Sequence, residues 1–243
     1  MAGIALFRHV SSAVRIHAGD NALQRLGDEL DRIRSTRAFV VCGQSVAQRT
    51  NLLERTRQIL GQRFVGVFDG TVAGSPLPSV ELGTSMARKA GADLIIALGG
   101  GSAAVTARGI IILMAEGGTA YDHATKYPPG HRPVSPRLMQ PKIPNIFVPT
   151  TPTTAANRAG TALIDMETQH RLELFDPKTK PSALIWDTEA LLTASPNLCL
   201  SAAGSMFSGV IASLQATGLN PLAEGDLLQA LRLLQENMRL VKN

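Results

Sequence analysis

Through its first two-thirds, this chain of 243 residues alternates short β-branched runs with helically spaced apolar residues, the pattern of a parallel sheet built with right-handed crossovers. Ala38 to Cys42 reads as a buried strand ending at Gly43, and Ser45 to Leu60 follows at helical spacing. Phe64 to Phe68 is the next strand, closed by Asp69-Gly70, with Val80 to Ala90 as the next helix. Asp93 to Leu98 is a third strand, running directly into Gly99-Gly100-Gly101-Ser102.

The character then changes. Seven of the 14 prolines (128, 129, 133, 136, 141, 144 and 149) fall between Tyr127 and Pro149, where they exclude regular helix or central strand. A surface loop leading to a short strand, Asn145 to Val148, is expected. From Asp187 onward the pattern is helical: Cys199 to Ala216 is rich in small residues, and Leu227, Leu228, Leu231, Leu234, Met238 and Val241 form an apolar stripe. The expected division is an α/β domain over residues 1–183 and a partial helical domain over 184–243. The stripe meets no glycine or proline stop before Asn243, so its apolar face is expected to pack on the first domain, on another subunit or on further chain.

With 44% hydrophobic and 18% charged residues the chain can bury a sizeable core. Cys42 and Cys199 are too few for a disulfide framework or a four-thiolate zinc site, which points to a reducing, cytoplasmic setting. Basic residues outnumber acidic ones by 24 to 19, but Arg25, Arg32, Arg34 and Arg37 are interleaved with Asp28, Glu29 and Asp31, and aromatics are only 4%. Neither a basic stripe nor a base-stacking platform is present, so no nucleic-acid partner is expected. Met1 to His9 lacks a signal-peptide pattern and no stretch reads as about 18 apolar residues, so no membrane segment is expected either.

Two segments carry chemistry. The glycine run Gly99, Gly100, Gly101 and Ser102 sits between a buried strand and a helix starting near Ala103, where backbone can approach a ligand and free helix N–H groups favour phosphate. It is neither the G-x-G-x-x-G spacing nor a Walker A loop, and a ligand-free tight turn is its bland reading. Pro149 to Thr154 places hydroxyls at the carboxyl end of a strand, where open α/β sheets bind ligands; a turn stiffened by two prolines is the alternative.

Together, Arg15 to Gly19, Asp69 to Gly83, Ala92 to Ser102, Pro141 to Thr154, Ala183 to Leu191 and Leu200 to Gly204 resemble the iron-containing (group III) alcohol dehydrogenases. That family includes maleylacetate reductases and glycerol dehydrogenases and is related to dehydroquinate synthase. The resemblance implies a Rossmann-like α/β domain binding NAD or NADP, followed by an all-helical domain of the dehydroquinate synthase-like kind. By it, Gly99, Gly100, Gly101 and Ser102 hold the cofactor pyrophosphate, while Thr150, Thr151 and Thr154 line the cofactor cleft. Gly43 stands where NAD-preferring members resemble one another in having an aspartate, so NADP is not excluded; Arg37, Arg49 and Arg63 are phosphate candidates. Tyr121 and His123 are the candidate general acids, in a region near the cleft in relatives. A small carbonyl or alcohol is the implied substrate, and a homodimer is expected through Ile4 to Phe7.

The sequence also departs from that pattern. The family's Asp and Lys after the glycine-serine run are replaced by Val105 and Arg108. The stretch that supplies its metal-binding Asp and first His aligns with Met206 and Val210, which cannot ligate a divalent ion, so no metal is expected. The implied function is an NAD(P)-dependent oxidoreductase with a degenerate metal site. A catalytically impaired nucleotide-binding or scaffold subunit, and a metal-free lyase using the same cleft, are the alternatives.

Overall fold

The computed structural model describes residues 6–10 and 13–241. In chain order its first half contains β1 (Arg15–Gly19), α1 (Leu26–Ile33), β2 (Ala38–Cys42), α2 (Gln44–Arg49), α3 (Leu52–Leu60), β3 (Phe64–Phe68), α4 (Leu77–Lys89), β4 (Leu94–Gly99) and α5 (Gly101–Glu116). Next come α6 (Ala120–His123), β5 (Asn145–Pro149), β6 (Gly160–Ile164), β7 (Arg171–Phe175) and β8 (Ala183–Asp187). The chain then becomes helical, with α7 (Thr188–Leu191), α8 (Pro196–Leu214) and α9 (Pro221–Asn237).

Six strands form one sheet in the order β1-β8-β5-β4-β2-β3, every neighbouring pair parallel. β2, β4 and β5 are buried at every residue, which is why they appear as continuous apolar runs: helices cover both faces of a parallel sheet. Alternate side chains divide between two cores. Phe39, Val41, Ile95, Ala97 and Phe147 pack with Val80, Ala87, Ala107 and Ile111 of α4 and α5. Val40, Ile96, Leu98, Ile146 and Val148 pack with Leu26, Leu30, Leu52 and Leu60 of α1 and α3.

The helix expected over Ser45 to Leu60 is two helices. Thr50, extended at φ −135°, donates its hydroxyl to the Val46 carbonyl (2.7 Å) and accepts from the Leu52 amide (3.2 Å), so a side chain interrupts the backbone ladder. The antiparallel hairpin β6–β7 had no sequence expectation. It stands outside the main sheet, and Leu163 and Leu174 bury alternate positions while neighbours face outward. A Thr161 hydroxyl bond to the Val105 carbonyl (2.6 Å) ties it to α5.

Two compact units emerge: Val14–Thr193, and the residues from Ala194 onward grouped with the described residues ahead of Val14. Division near 183 was expected, but Ala183–Asp187 is a strand of the sheet, paired with β1 and β5, which carries the first unit past it. In the second unit, α8 and α9 each begin with proline, after Ser195 and Asn220 caps that accept from Leu198 and from Leu222 and Ala223. The expectation of no membrane-length apolar segment needs correction: Pro196–Leu214 is 19 residues with mean hydropathy 1.4, long and apolar enough by those two measures alone. The small residues between its larger apolar ones had masked its total hydropathy. Ile4 and Ala5 lie outside the described residues, and Leu6 and Phe7 are exposed without strand structure.

Asp93, just before β4, fastens that strand's entry to the entry of β2. Its carboxylate accepts from Ser35 Oγ (2.6 Å), the Arg37 amide (3.0 Å), and the amide and hydroxyl of Thr36 (2.9 and 3.0 Å). Burial raises its pKa, but the bonds from Ser35, Thr36 and Arg37 outweigh it and hold the group below the ordinary aspartate range. The stabilisation is therefore complete above the unfolded-state value and is lost as pH falls through the lowered folded value. Asp93→Asn is expected to cost about 1–2 kcal/mol at neutral pH and to flatten the acid limb below pH ~4 in urea melts; an unchanged acid limb refutes this role.

Candidate functional site

The strand order fixes where a ligand can bind. The chain leaves β2 outward to β3, then returns to place β4 on the other side of β2, so the order reverses between β2 and β4. In open α/β sheets the crevice at the carboxyl ends of such a pair is the ligand site. Gly43 follows β2 there, Gly99 ends β4, and Pro149 ends the adjoining β5.

The glycine and threonine segments meet at this crevice. Gly99 is in register with Pro149, and the Thr150 amide donates to the Gly99 carbonyl (3.0 Å). A Cβ built on Gly100 would lie 3.2 Å from Thr151 Oγ1, and one on Gly101 would lie 3.1 Å from Thr153 Oγ1. The backbone between them is therefore a cradle that any side chain would fill. Gly99 has φ +148°, a conformation L-residues rarely adopt. α5 begins at Gly101 with no side-chain cap and no acid in its first turn, leaving its leading amides to face the crevice.

Gly43 caps α2 and bridges to Gly70, while the Thr71 amide donates to the Cys42 carbonyl (3.2 Å). Thr71 is buried and its hydroxyl has no partner among the described residues. An orphaned hydroxyl beside a side-chain-free turn is the kind of group that a ribose or phosphate satisfies. Cys42 is buried, and that burial, with the Asp69 charge behind it, pushes its thiol up to about 12, so it is no nucleophile.

Thr154 is exposed and contributes its carbonyl to the Arg158 guanidinium (3.0 Å). Residues not foreseen from sequence include Ser75, buried at φ +49°, whose hydroxyl donates to the Ser102 carbonyl (3.3 Å) and accepts from Thr106 Oγ1 (3.0 Å). Arg108, two turns into α5, is also buried. The local polar signals, Asp69-Gly70-Thr71 and the mid-helix Thr106 and Arg108, are present in the sequence, but only the strand order relates them.

Tyr121 and His123 are engaged elsewhere. α6 follows the far end of α5, about 24 Å along the helix axis from Gly101. His123 Nε2 lies 2.7 Å from the Gly117 carbonyl. Burial and a hydrogen bond to Asp165 raise the pKa of the Tyr121 phenol, away from an activated acid. Among the described residues, no hydrogen bond joins either side chain to the glycine–threonine cluster. Arg37 holds the Ala90 and Gly91 carbonyls, and Arg63 holds Asp31, both at the amino ends of strands; Arg49 is exposed on α2. No group of three or more His, Cys, Asp or Glu able to hold a metal occurs among the described residues.

A family model described as iron-containing alcohol dehydrogenase matches residues 13–188. The chain is 28% identical over 216 residues to a 4-hydroxybutyrate dehydrogenase of Cupriavidus necator, covering 89% of this chain and 55% of that protein. Among solved structures, an archaeal halo-thermophilic Red Sea brine pool alcohol dehydrogenase superposes with a TM-score of 0.88 at 22% identity, over 98% of this chain and 60% of that one. A sulfoacetaldehyde reductase of Bifidobacterium kashiwanohense, solved with NAD+, gives 0.85 at 16% identity, over 97% of this chain and 61% of that one. The chain spans about half the length of the curated relatives it matches.

Proposed function

Because this chain belongs to the iron-containing alcohol dehydrogenase family, we propose that it binds a nicotinamide dinucleotide, NAD or NADP, across the β4–α5 turn and acts as an oxidoreductase on a small carbonyl or alcohol. What carries the reading is the meeting of Gly99–Ser102 with Thr150–Thr153 at the point where the strand order reverses. The bound dinucleotide supplies or accepts the hydride. The chain's own part is to cradle the pyrophosphate on the Gly101 and Ser102 amides, to offer Thr150, Thr151 and Thr154 along the cleft, and to bond the ribose side through Thr71. Gly43 leaves no carboxylate to repel a 2′-phosphate, which keeps NADP alongside NAD. The NAD+ complex of the sulfoacetaldehyde reductase and the 4-hydroxybutyrate dehydrogenase relative support the cofactor and the substrate size.

The family's metal does not fit the donors this chain offers. α8 contains no Asp, Glu or His, and the positions aligned with the Asp and first His are Met206 and Val210. A thioether and an isopropyl group do not replace hard oxygen and imidazole ligands. Metal-independent turnover is the reading, in a homodimer of a reducing, cytoplasmic compartment; both cysteines are free, and β1 leaves its outer edge unpaired among the described residues. The same two substitutions favour one other reading, a nucleotide-binding subunit without redox turnover.

Titration with NADH and NADPH, followed by nicotinamide fluorescence, is expected to give saturable binding below ~1 mM. No response to either cofactor overturns the proposal, binding without turnover selects the subunit reading, and turnover abolished by a chelator overturns metal independence. Tyr121→Phe and His123→Gln are expected to leave turnover within about threefold, because both side chains are bonded away from the cradle. A loss beyond about 100-fold in either restores it as a general acid.

A further inference from the structure

Arg108 is 3% exposed, and no carboxylate among the described residues meets it. Its Nη1 donates to the Ala155 carbonyl (2.9 Å), and its Nε has no partner among the described residues. The positions three and four residues away along α5 are Ala104, Val105, Ile111 and Ile112, so the helix supplies no counter-charge of its own. The group whose field reaches it is another cation, Arg158, whose Nε holds the preceding carbonyl, Thr154 O (3.0 Å). Two guanidinium groups are thus fixed on consecutive carbonyls of one loop with no anion between them. Buried charges in proteins are paired, and arginine does not escape by releasing its proton near neutral pH.

We propose that Arg108 and Arg158 form a binding site for the anionic group, a carboxylate or a chemically equivalent oxyanion, of the small-molecule substrate. The proposal rests on the oxidoreductase reading above. Gly101 and Arg108 are seven residues apart, on one face of α5 and about 10 Å along its axis. A Cβ built on Gly101 would meet Thr153 Oγ1 at 3.1 Å and the Ala155 Cβ at 3.8 Å, and the Ala155 carbonyl holds Arg108, so one loop joins the pyrophosphate cradle to the arginines. The pyrophosphate already has the leading amides of α5 for partners, so the arginines are assigned to the other anion at the site, that of the substrate. Arg108 Nε offers a buried donor for one oxygen, and the exposed Arg158 guanidinium offers a second donor for the other.

The test uses the full chain as wild type, Arg108→Met and Arg158→Met, with succinate as the anionic probe, butane-1,4-diol as its uncharged counterpart, and NADH. Calorimetry is expected to show succinate bound by wild type, butanediol not bound, and succinate weakened at least about tenfold in each variant, with NADH affinity held within about threefold. Succinate should raise the wild-type melting temperature and leave that of Arg108→Met unmoved. Arg158 is exposed, so its variant keeps the test valid if Arg108→Met fails to fold. Undiminished succinate binding in Arg158→Met overturns the proposal. A tenfold loss of NADH affinity without succinate binding overturns it in favour of a cofactor phosphate. Absence of NADH and NADPH binding in wild type brings down the oxidoreductase reading and the substrate assignment together, while wild type that binds NADH but not succinate brings down the assignment alone.

Discussion

Gly101→Val is expected to weaken NADH binding about 30- to 100-fold while leaving the protein folded. The first β-carbon alone would stand 3.1 Å from Thr153 Oγ1, and the two methyl groups beyond it occupy the space through which a phosphate reaches the leading amides of α5. Losing such close backbone approach is worth about 2–3 kcal/mol, which sets the fold-change. Stability should move by less than about 1 kcal/mol, because Gly101 is the first residue of a helix with ordinary backbone angles, where a side chain costs little. Fluorescence titration paired with a thermal melt separates the two quantities. Wild-type affinity in a folded Gly101→Val protein would remove the cradle from the mechanism.

The largest stability effect is expected at Asp187. The side chain is fully buried; one oxygen accepts from the Ala190 amide (3.1 Å), capping α7, and the other from the Leu23 amide (3.0 Å), with Arg55 Nη1 3.9 Å away. The carboxylate therefore fastens the segment after β1 to the end of β8, at the edge of the sheet. Asp187→Ala strands two buried amides while Arg55 keeps its 2.6 Å bond to Glu189, a loss of about 3–4 kcal/mol. At roughly 2–4 °C per kcal/mol for a chain of this size, the melting temperature should fall by about 10 °C. Asp187→Asn keeps one acceptor and should lose about half as much. A melting temperature within about 2 °C of wild type for the alanine variant would show that water replaces both bonds.

These residues also mark how far the sequence could be read. β2, β4 and β5 were legible because burial on both faces writes them as unbroken apolar runs, and the glycine turn was legible because it interrupts one of those runs. The hairpin β6–β7 was not, since Gly160–Ile164 and Arg171–Phe175 bury only alternate residues against α5 and carry polar ones between. The break at Thr50 depended on a hydroxyl choosing backbone partners, which apolar spacing does not record.

In the site, strand order relates residues that distance along the chain does not. Tyr121 and His123 stand only about twenty residues after the glycine turn, yet a 16-residue helix carries them to its other end. Thr71 stands some thirty residues before that turn and is brought to the crevice because β3 and β4 flank β2. Arg108 looked like a changed family position; its burial without a carboxylate is visible only once the loop from Thr153 to Arg158 lies against α5.

Gly99 and Gly101 differ in why they are glycine, and random mutagenesis under selection will expose the difference. Gly99 answers to its φ of +148°, a demand present in the empty fold, whereas Gly101 answers to room needed by a guest. A library sorted only for soluble expression should hold Gly99 and let Gly101 drift, and a second sort on cofactor binding should then recover glycine at both. The two codons would report two separate pressures, one from the architecture and one from its use.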